Sequence, residues 1–146
     1  MASNYRCRYA AIKDTDAIKE LLRAAALPVV QSEDQVSEFI LAEEKNEVIG
    51  ILGVLYDGNQ ALLRSFAIKT EKRNQGAGKM LLQKMLQIVA DRRCKNIFLL
   101  TETAAAYFKK AGFEEINREQ IPLGLLCKSG LDQGCSCNSR CFSYRL

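Results

Sequence analysis

The residues that most directly suggest chemistry stand in a basic, glycine-containing segment at residues 69–78. An apolar stretch with the character of a strand precedes it, and from residue 79 apolar residues recur at helical spacing. Gly76 and Gly78 lack the Cβ atoms that would keep a ligand from the backbone. The first N–H groups of a helix have no intrahelical partner and lie at the positive end of its dipole. The segment therefore predicts a diphosphate site, with an ordinary glycine turn as the alternative. Three basic residues add charge around it: Lys72, Arg73 and Lys79.

The pattern Arg73-x-x-Gly76-x-Gly78 resembles the pyrophosphate loop of the GNAT superfamily of N-acetyltransferases. It differs from the Gly-x-Gly-x-x-Gly dinucleotide fingerprint and from the Gly-Lys-Ser/Thr P-loop. A second segment supports the resemblance, because residues 97–113 resemble the closing strand and helix of that family with its terminal Gly112-Phe113. The resemblance covers residues 5–126. It implies an α/β GNAT fold with a central mixed, largely antiparallel sheet flanked by helices.

The chemistry implied by this resemblance is transfer of an acetyl group from the co-substrate acetyl-CoA to a small amine. The reaction requires the thioester to lie against the amine, a backbone N–H near the carbonyl oxygen, and groups that move protons. Carried over residue by residue, the resemblance assigns thirteen positions to the cofactor. They are Phe66, Ala67 and Ile68 beside the pantetheine, Arg73, Asn74, Gln75, Gly76, Ala77, Gly78 and Lys79 around the diphosphate, and Thr101, Ala104 and Phe108 along the CoA arm.

The proton-transferring residues depart from the family pattern. Many members carry a tyrosine acid four residues before the Gly of Gly-Phe, where this chain has Phe108. Tyr107 is adjacent but points about 100° away on a helix, so a packing aromatic is its alternative role. The strand glutamate of the family is also replaced, by Arg64 and Ser65. Because the chain has no histidine, a base must be a carboxylate, a tyrosine or a water held by polar groups.

These departures leave a short set of candidates. The predicted catalytic residues are Tyr107, Ser65 and Glu102. Arg64 is the candidate ligand of a substrate carboxylate, because its planar fork suits bidentate binding; a surface or core-edge arginine is the alternative.

Two finer resemblances narrow the branch of the family. Residues 99–108 resemble the acetyltransferase domain of N-acetylglutamate synthases, which also lack the tyrosine. Residues 62–68, residues 99–108 and the tail resemble small N-acetyltransferases encoded in arsenic-resistance operons, whose tails end with two cysteines spaced like Cys135 and Cys141. The acceptor stays open among small amines, with an amino acid or an arsenical amino-acid analogue as the hypothesis.

The C-terminal segment 127–146 is rich in cysteine. Cys135, Cys137 and Cys141 lie within seven residues, and three thiols can bind a soft metal ion or arsenite. The spacing lacks the paired knuckles of structural zinc, so no metal site is predicted. A C-terminal strand with incidental cysteines is the alternative. Two further functions therefore stay open: a thiol-based metalloid-binding or sensing protein, and a catalytically silent acyl-CoA-binding module.

Length and charge set the remaining expectations. A chain of 146 residues can form a single domain, residues 1–146, with its own core. The net charge of +4 is dispersed, which predicts no nucleic-acid partner. The N-terminus lacks an apolar leader and no run reaches membrane-spanning length, which predicts no membrane partner and a cytoplasmic location. A homodimer is the commonest assembly in such a family.

Periodicity predicts the elements that carry these residues. Strands are expected at residues 5–9, 39–42, 48–56, 61–68 and 97–101, and helices at 14–26 and 79–92. The family resemblance implies a closing helix within residues 103–113. Asp14 is expected to cap the first helix. Ser32 and Gln35 resemble a weak capping box of a further short helix.

Overall fold

The computed structural model describes residues 5–25, 39–73, 75–101, 104–129 and 139–146, with residues 127–129 described as backbone. Within these ranges the chain forms seven strands and four helices. In chain order they are β1 (Arg6–Tyr9), α1 (Thr15–Ala24), β2 (Phe39–Glu44), β3 (Glu47–Asp57), β4 (Gln60–Ile68), α2 (Ala77–Asp91), β5 (Asn96–Thr101), α3 (Ala105–Lys110), β6 (Glu114–Ile116), α4 (Leu123–Ser129) and β7 (Arg140–Arg145).

The strands form one sheet in the order β1-β2-β3-β4-β5-β7-β6. β4 and β5 run parallel, with Gln60 to Leu62 opposite Asn96 to Phe98, and α2 lies between them in the chain. The β1–β2, β2–β3, β5–β7 and β6–β7 pairs are antiparallel. The predicted α/β architecture with a mixed, largely antiparallel sheet is confirmed. No helix among the described residues is both long enough and apolar enough to cross a membrane.

The chain divides into two compact units. The first comprises Met1–Gly53 and Ser65–Ile88, and the second comprises Val54–Arg64 and Val89–Leu146. Strands β3 and β4 contribute residues to both. The single domain spanning residues 1–146 stays a prediction.

Each unit has its own apolar cluster. In the first, α1 presents residues three and four apart on one buried face, which is the pattern of an amphipathic helix. That cluster consists of Ile18, Leu21, Leu22, Phe39, Leu41, Ile51 and Ala67. In the second unit, residues from β4, β5, β7 and α4 are buried together with Ile121, which lies just before α4. They are Leu62, Phe98, Ile121, Leu125, Leu126 and Cys141.

Asp14 stands at the N-cap position of α1 but makes no capping hydrogen bond. Its carboxylate instead accepts hydrogen bonds from the two terminal nitrogens of Arg8, each at 2.8 Å, and from the Ala11 N–H at 2.7 Å. Arg8 Nε also donates to Glu43 Oε1 at 2.9 Å. The prediction that the Asp14 side chain caps α1 is therefore wrong, because Arg8 of β1 binds both of its carboxylate oxygens. Arg8 lowers the pKa of Asp14 and of Glu43.

Element boundaries differ from the expectations by a few residues. α2 begins at Ala77 rather than at residue 79, and β2 and β3 meet in a two-residue turn at Lys45 and Asn46. Both turn residues have positive φ, 53° and 67°, which suits a tight hairpin between twisted strands. The helix expected near Ser32 lies outside the described residues.

Candidate functional site

The N-terminus of α2 is open to a ligand. Gly76, directly before the helix, has φ +96°, and a Cβ built on it meets no atom of the described residues within 4 Å. The Met80 N–H donates to the Gly76 carbonyl at 3.0 Å, which closes the first helical turn. Helix geometry therefore leaves the N–H groups of residues 77–79 without an intrahelical acceptor. Ala77 is buried and Gly78 half-buried, so their backbone is bounded by protein on one side.

The basic residues around this helix end are not equivalent. Arg73 and Lys79 are exposed, and Arg73 Nε donates to the Ile68 carbonyl at 3.4 Å. Lys72 Nζ instead lies 2.6 Å from Glu44 Oε1. The sequence prediction counted Lys72 among the charges offered to the diphosphate, whereas the structure pairs it with a carboxylate from the β2–β3 hairpin. Of the three basic side chains, Arg73 and Lys79 are therefore the two that are exposed.

Both polar atoms of the Gln75 side-chain amide make hydrogen bonds. Its Nε2 donates to the Glu71 carbonyl at 3.2 Å, and the Tyr5 hydroxyl donates to its Oε1 at 3.4 Å. These contacts fasten the loop before Gly76 to the preceding turn and to the residue before β1. Asn74 lies outside the described residues.

The end of β4 carries an unusual backbone. Ser65 has φ +57°, a left-handed conformation that costs a non-glycine residue about 1–3 kcal/mol. It follows the β4 residues that pair with β5, the last of which is Leu62. After it, Ala67 is buried in the first unit, while Phe66 and Ile68 are half-buried. A left-handed residue within a strand re-aims the groups around it, and such strained residues cluster at functional sites.

The segment after β5 is organised by Thr101. Its Oγ1 accepts a hydrogen bond from the Ala104 N–H at 3.0 Å, directly before α3. This use of the hydroxyl oxygen leaves the hydroxyl proton able to donate elsewhere. Ala104 is half-buried. Glu102, one of the predicted catalytic residues, lies outside the described residues.

The two aromatic residues of α3 have opposite environments. Phe108 is 5% exposed and packs edge-on against Phe113, with ring centroids 5.6 Å apart. Tyr107 is 40% exposed, and its ring meets that of Phe108 edge-on at 5.3 Å. Burial raises the pKa of Tyr107, so its phenol gives up a proton less readily than a free one. The difference in exposure agrees with the expected rotation between neighbouring helix positions.

The predicted site residues fall into two groups by compact unit. The first unit holds Ser65, the pantetheine candidates 66–68 and the diphosphate candidates 73 and 75–79. The second holds Arg64, Thr101, Ala104, Tyr107 and Phe108. Sequence reasoning missed Glu44 and Glu47, which pair with Lys72 and Lys69. The residue types were visible in the sequence, but the pairing depends on bringing two turns together.

The cysteines that the structure describes do not form a cluster that could bind a metal ion. Cys141 is 4% exposed and lies in the apolar cluster of the second unit with Phe98 and Leu125. Burial raises the pKa of the Cys7 and Cys94 thiols. Cys135 and Cys137 lie outside the described residues. Among the residues that are described, no three His, Cys, Asp or Glu side chains are placed to hold a metal ion.

Known sequences place the chain in a family. Residues 35–115, more than half of its length, match the acetyltransferase (GNAT) domain model. The chain is 31% identical over 90 residues to an uncharacterised N-acetyltransferase of Chlorobaculum tepidum, a match covering 61% of this chain and 57% of that protein. It is 29% identical over 133 residues to an amino-acid acetyltransferase of Vibrio vulnificus, covering 84% of this chain but 30% of the relative. The chain thus spans about a third to somewhat over half of these relatives.

Solved structures show the same fold. N-acetylglutamate synthase from Neisseria gonorrhoeae, complexed with coenzyme A and N-acetyl-glutamate, superposes with a TM-score of 0.86 at 18% identity, over 100% of this chain and 36% of that one. A Mycobacterium tuberculosis protein in complex with coenzyme A gives a TM-score of 0.80 at 19% identity, over 97% and 99% of the two chains. The resemblance inferred from the glycine loop and the Gly-Phe signature is confirmed: this chain belongs to the GNAT acetyltransferase family.

Proposed function

We propose that the chain transfers an acetyl group from acetyl-CoA to the amine of a small molecule. The observation that carries the proposal is the N-terminus of α2, where Gly76 adopts φ +96° and a Cβ on it would touch none of the residues that the structure describes. Membership of the GNAT family and the coenzyme A present in related structures support it. Acetyl-CoA is the proposed co-substrate.

In this proposal the diphosphate accepts hydrogen bonds from the N–H groups at the start of α2 that have no intrahelical acceptor. A helix N-terminus suits an anion because its N–H groups and its dipole both favour negative charge. Arg73 and Lys79, which are exposed, supply positive charge. Residues 66–68 are proposed to run beside the pantetheine, with Thr101, Ala104 and Phe108 completing the cofactor contacts of the family pattern.

The proposed reaction is direct attack of the amine on the thioester. The substrate ammonium first loses a proton, the resulting amine nitrogen forms a bond to the carbonyl carbon, and the C–S bond breaks as the CoA thiolate leaves and the nitrogen loses its second proton. Ser65 and Glu102 are the proposed groups for the first proton, acting through water. Tyr107 is the candidate acid for the thiolate, but the proposed reaction does not depend on it, because a CoA thiolate leaves near neutral pH without full protonation. The absence of a hydroxyl at Phe108 therefore does not forbid turnover.

The proposed acceptor is an amino acid. Relatives in Vibrio and Pseudomonas are amino-acid acetyltransferases, and the Neisseria structure contains N-acetyl-glutamate. Arg64 is half-buried on β4 immediately before Ser65, and its guanidinium suits a substrate carboxylate. An arsenical amino-acid analogue is the narrower hypothesis within this class.

The test is an acceptor screen with the full chain. Acetyl-CoA is incubated with each amino acid, with its decarboxylated amine and with arsenical analogues, and CoA release and product mass are measured. We expect acetylation of an amino acid and little of its decarboxylated partner. Arg64→Gln should raise KM for the amino acid more than Arg64→Lys does, because lysine keeps the charge without the fork. Acetyl-CoA binding without turnover of any amine would refute the enzyme and favour the silent module.

The thiol-based alternative receives less support. Its three-cysteine site needs Cys141 in a shared coordination sphere, whereas the structure buries Cys141 in an apolar cluster. A homodimer, the lack of nucleic-acid and membrane partners, and a cytoplasmic location stay predictions.

A further inference from the structure

The β2–β3 hairpin places two carboxylates side by side. Glu44 ends β2, Glu47 begins β3, and the two stand directly opposite each other in the strand register. Directly opposite residues of an antiparallel pair project to the same face, and like charges there are destabilising. The hairpin therefore presents a doubly negative end that requires positive partners.

Two lysines on the turn before α2 supply these partners. Lys69 precedes and Lys72 ends the 3₁₀ turn Thr70–Lys72, and residues three apart in such a turn project in the same direction. Lys72 Nζ lies 2.6 Å from Glu44 Oε1. Lys69 Nζ pairs with Glu47, and the Lys69 N–H donates to the Ile49 carbonyl at 2.8 Å.

The Glu44–Lys72 pair is the more enclosed of the two. Glu44 is 22% and Lys72 29% exposed, whereas Glu47 is 57% exposed. Glu44 raises the pKa of Lys72, and Glu47 raises the pKa of Lys69. Both lysines are therefore held in their charged forms by the hairpin carboxylates, and their ammonium groups are already engaged.

The turn that these pairs hold leads directly to Arg73, Gln75 and Gly76, the residues before α2 that are proposed to lie around the diphosphate. Arg73 follows Lys72 directly, and its N–H reaches back to the Thr70 carbonyl at 3.4 Å. Gln75, the residue before Gly76, donates to the Glu71 carbonyl within the same turn at 3.2 Å. Movement of the turn would therefore shift both Arg73 and Gln75.

We propose that Glu44 and Glu47 are positioning residues for acetyl-CoA: through Lys72 and Lys69 they hold the turn that orients the diphosphate loop. This rests on the proposed function, since it concerns the same co-substrate. It makes a counter-intuitive prediction. Removing a negative charge near an anion site should tighten binding by simple electrostatics, whereas loss of the positioning contact should weaken it.

The experiment compares two charge-neutralising variants by calorimetry with CoA. Glu44→Gln removes a paired carboxylate, and Glu71→Gln removes an exposed carboxylate from the same turn. We expect CoA affinity to fall roughly two- to five-fold in Glu44→Gln, the scale of a partly exposed ion pair, and to stay equal or rise in Glu71→Gln. KM for acetyl-CoA should rise in Glu44→Gln with little change in kcat. The exchanged pair Glu44→Lys with Lys72→Glu should recover part of the affinity.

Equal or tighter CoA binding by folded Glu44→Gln overturns the inference. Glu47→Gln, which changes a more exposed residue, provides the second test should Glu44→Gln fold poorly, and unchanged affinity there counts against the inference as well. Failure of the proposed function has a different signature, because the wild-type chain itself would then release no CoA from acetyl-CoA with any amine, whether or not it binds CoA.

Discussion

Replacing Gly76 by valine separates backbone strain from ligand binding. Gly76 has φ +96°, a conformation that a residue with a Cβ rarely adopts, but a Cβ there would meet no described atom within 4 Å. The cost to the free protein is therefore conformational, about 1–3 kcal/mol. A domain with the usual stability of about 5–15 kcal/mol stays folded after such a loss.

The effect on CoA should be larger than the strain alone explains. Under the proposed function, a branched side chain at Gly76 would occupy the space through which the diphosphate approaches the start of α2. Each hydrogen bond to a charged group contributes about 1.5–3 kcal/mol. Loss of one such bond corresponds to a fall in affinity of roughly 10- to 150-fold.

The matched control is Gly58→Val in the β3–β4 turn. Gly58 also has positive φ, +60°, and a Cβ there also meets nothing within 4 Å, but the proposal assigns it no contact with CoA. Urea unfolding should show a loss of stability in both variants. Calorimetry should show weakened CoA binding in Gly76→Val alone. A folded Gly76→Val protein that binds CoA within about two-fold of the wild type, far short of the loss of one charged hydrogen bond, would refute the assignment of the diphosphate to this helix end.

Two further predictions concern catalysis and stability. Tyr107→Phe should keep most of its kcat, because the side chain is exposed and only a hydroxyl is lost. A general acid usually contributes roughly 10²–10⁴-fold, so a fall in kcat of that size with unchanged CoA binding would instead identify Tyr107 as the acid. Arg8→Met should lower the free energy of unfolding at pH 7 by about 2 kcal/mol, since it leaves buried Asp14 without its cation, and exposed Arg6→Met should cost little. Arg8 lowers the folded-state pKa of Asp14 and Glu43, so its contribution is present above their unfolded pKa and is lost as the pH falls through the folded pKa. Urea unfolding at pH 7 and near pH 3 should show the Arg8→Met deficit shrinking at the lower pH, and an equal deficit at both would contradict this reasoning.

Local sequence patterns were sufficient for most of the elements and for the family. The glycines at 76 and 78, between a strand pattern and a helical pattern, predicted the junction at which α2 begins. Alternating and apolar runs predicted β1 to β5, and helical spacing predicted the buried face of α1. These signals succeed because strand and helix periodicity depend on residues close together in the chain. The Gly112-Phe113 signature then placed α3 in the family pattern.

Tertiary structure decided which partner each polar or reactive side chain takes. Asp14 had the type and position of a helix cap, yet Arg8 from β1 takes its carboxylate. Lys72 had the position of a phosphate ligand, yet Glu44 from the hairpin engages it. Cys141 belongs to the cysteine-rich segment that suggested a thiol site, yet its side chain is buried in β7. Each outcome depends on residues distant in sequence that meet only when strands and turns pack, because charge pairing and burial are set by distance in space.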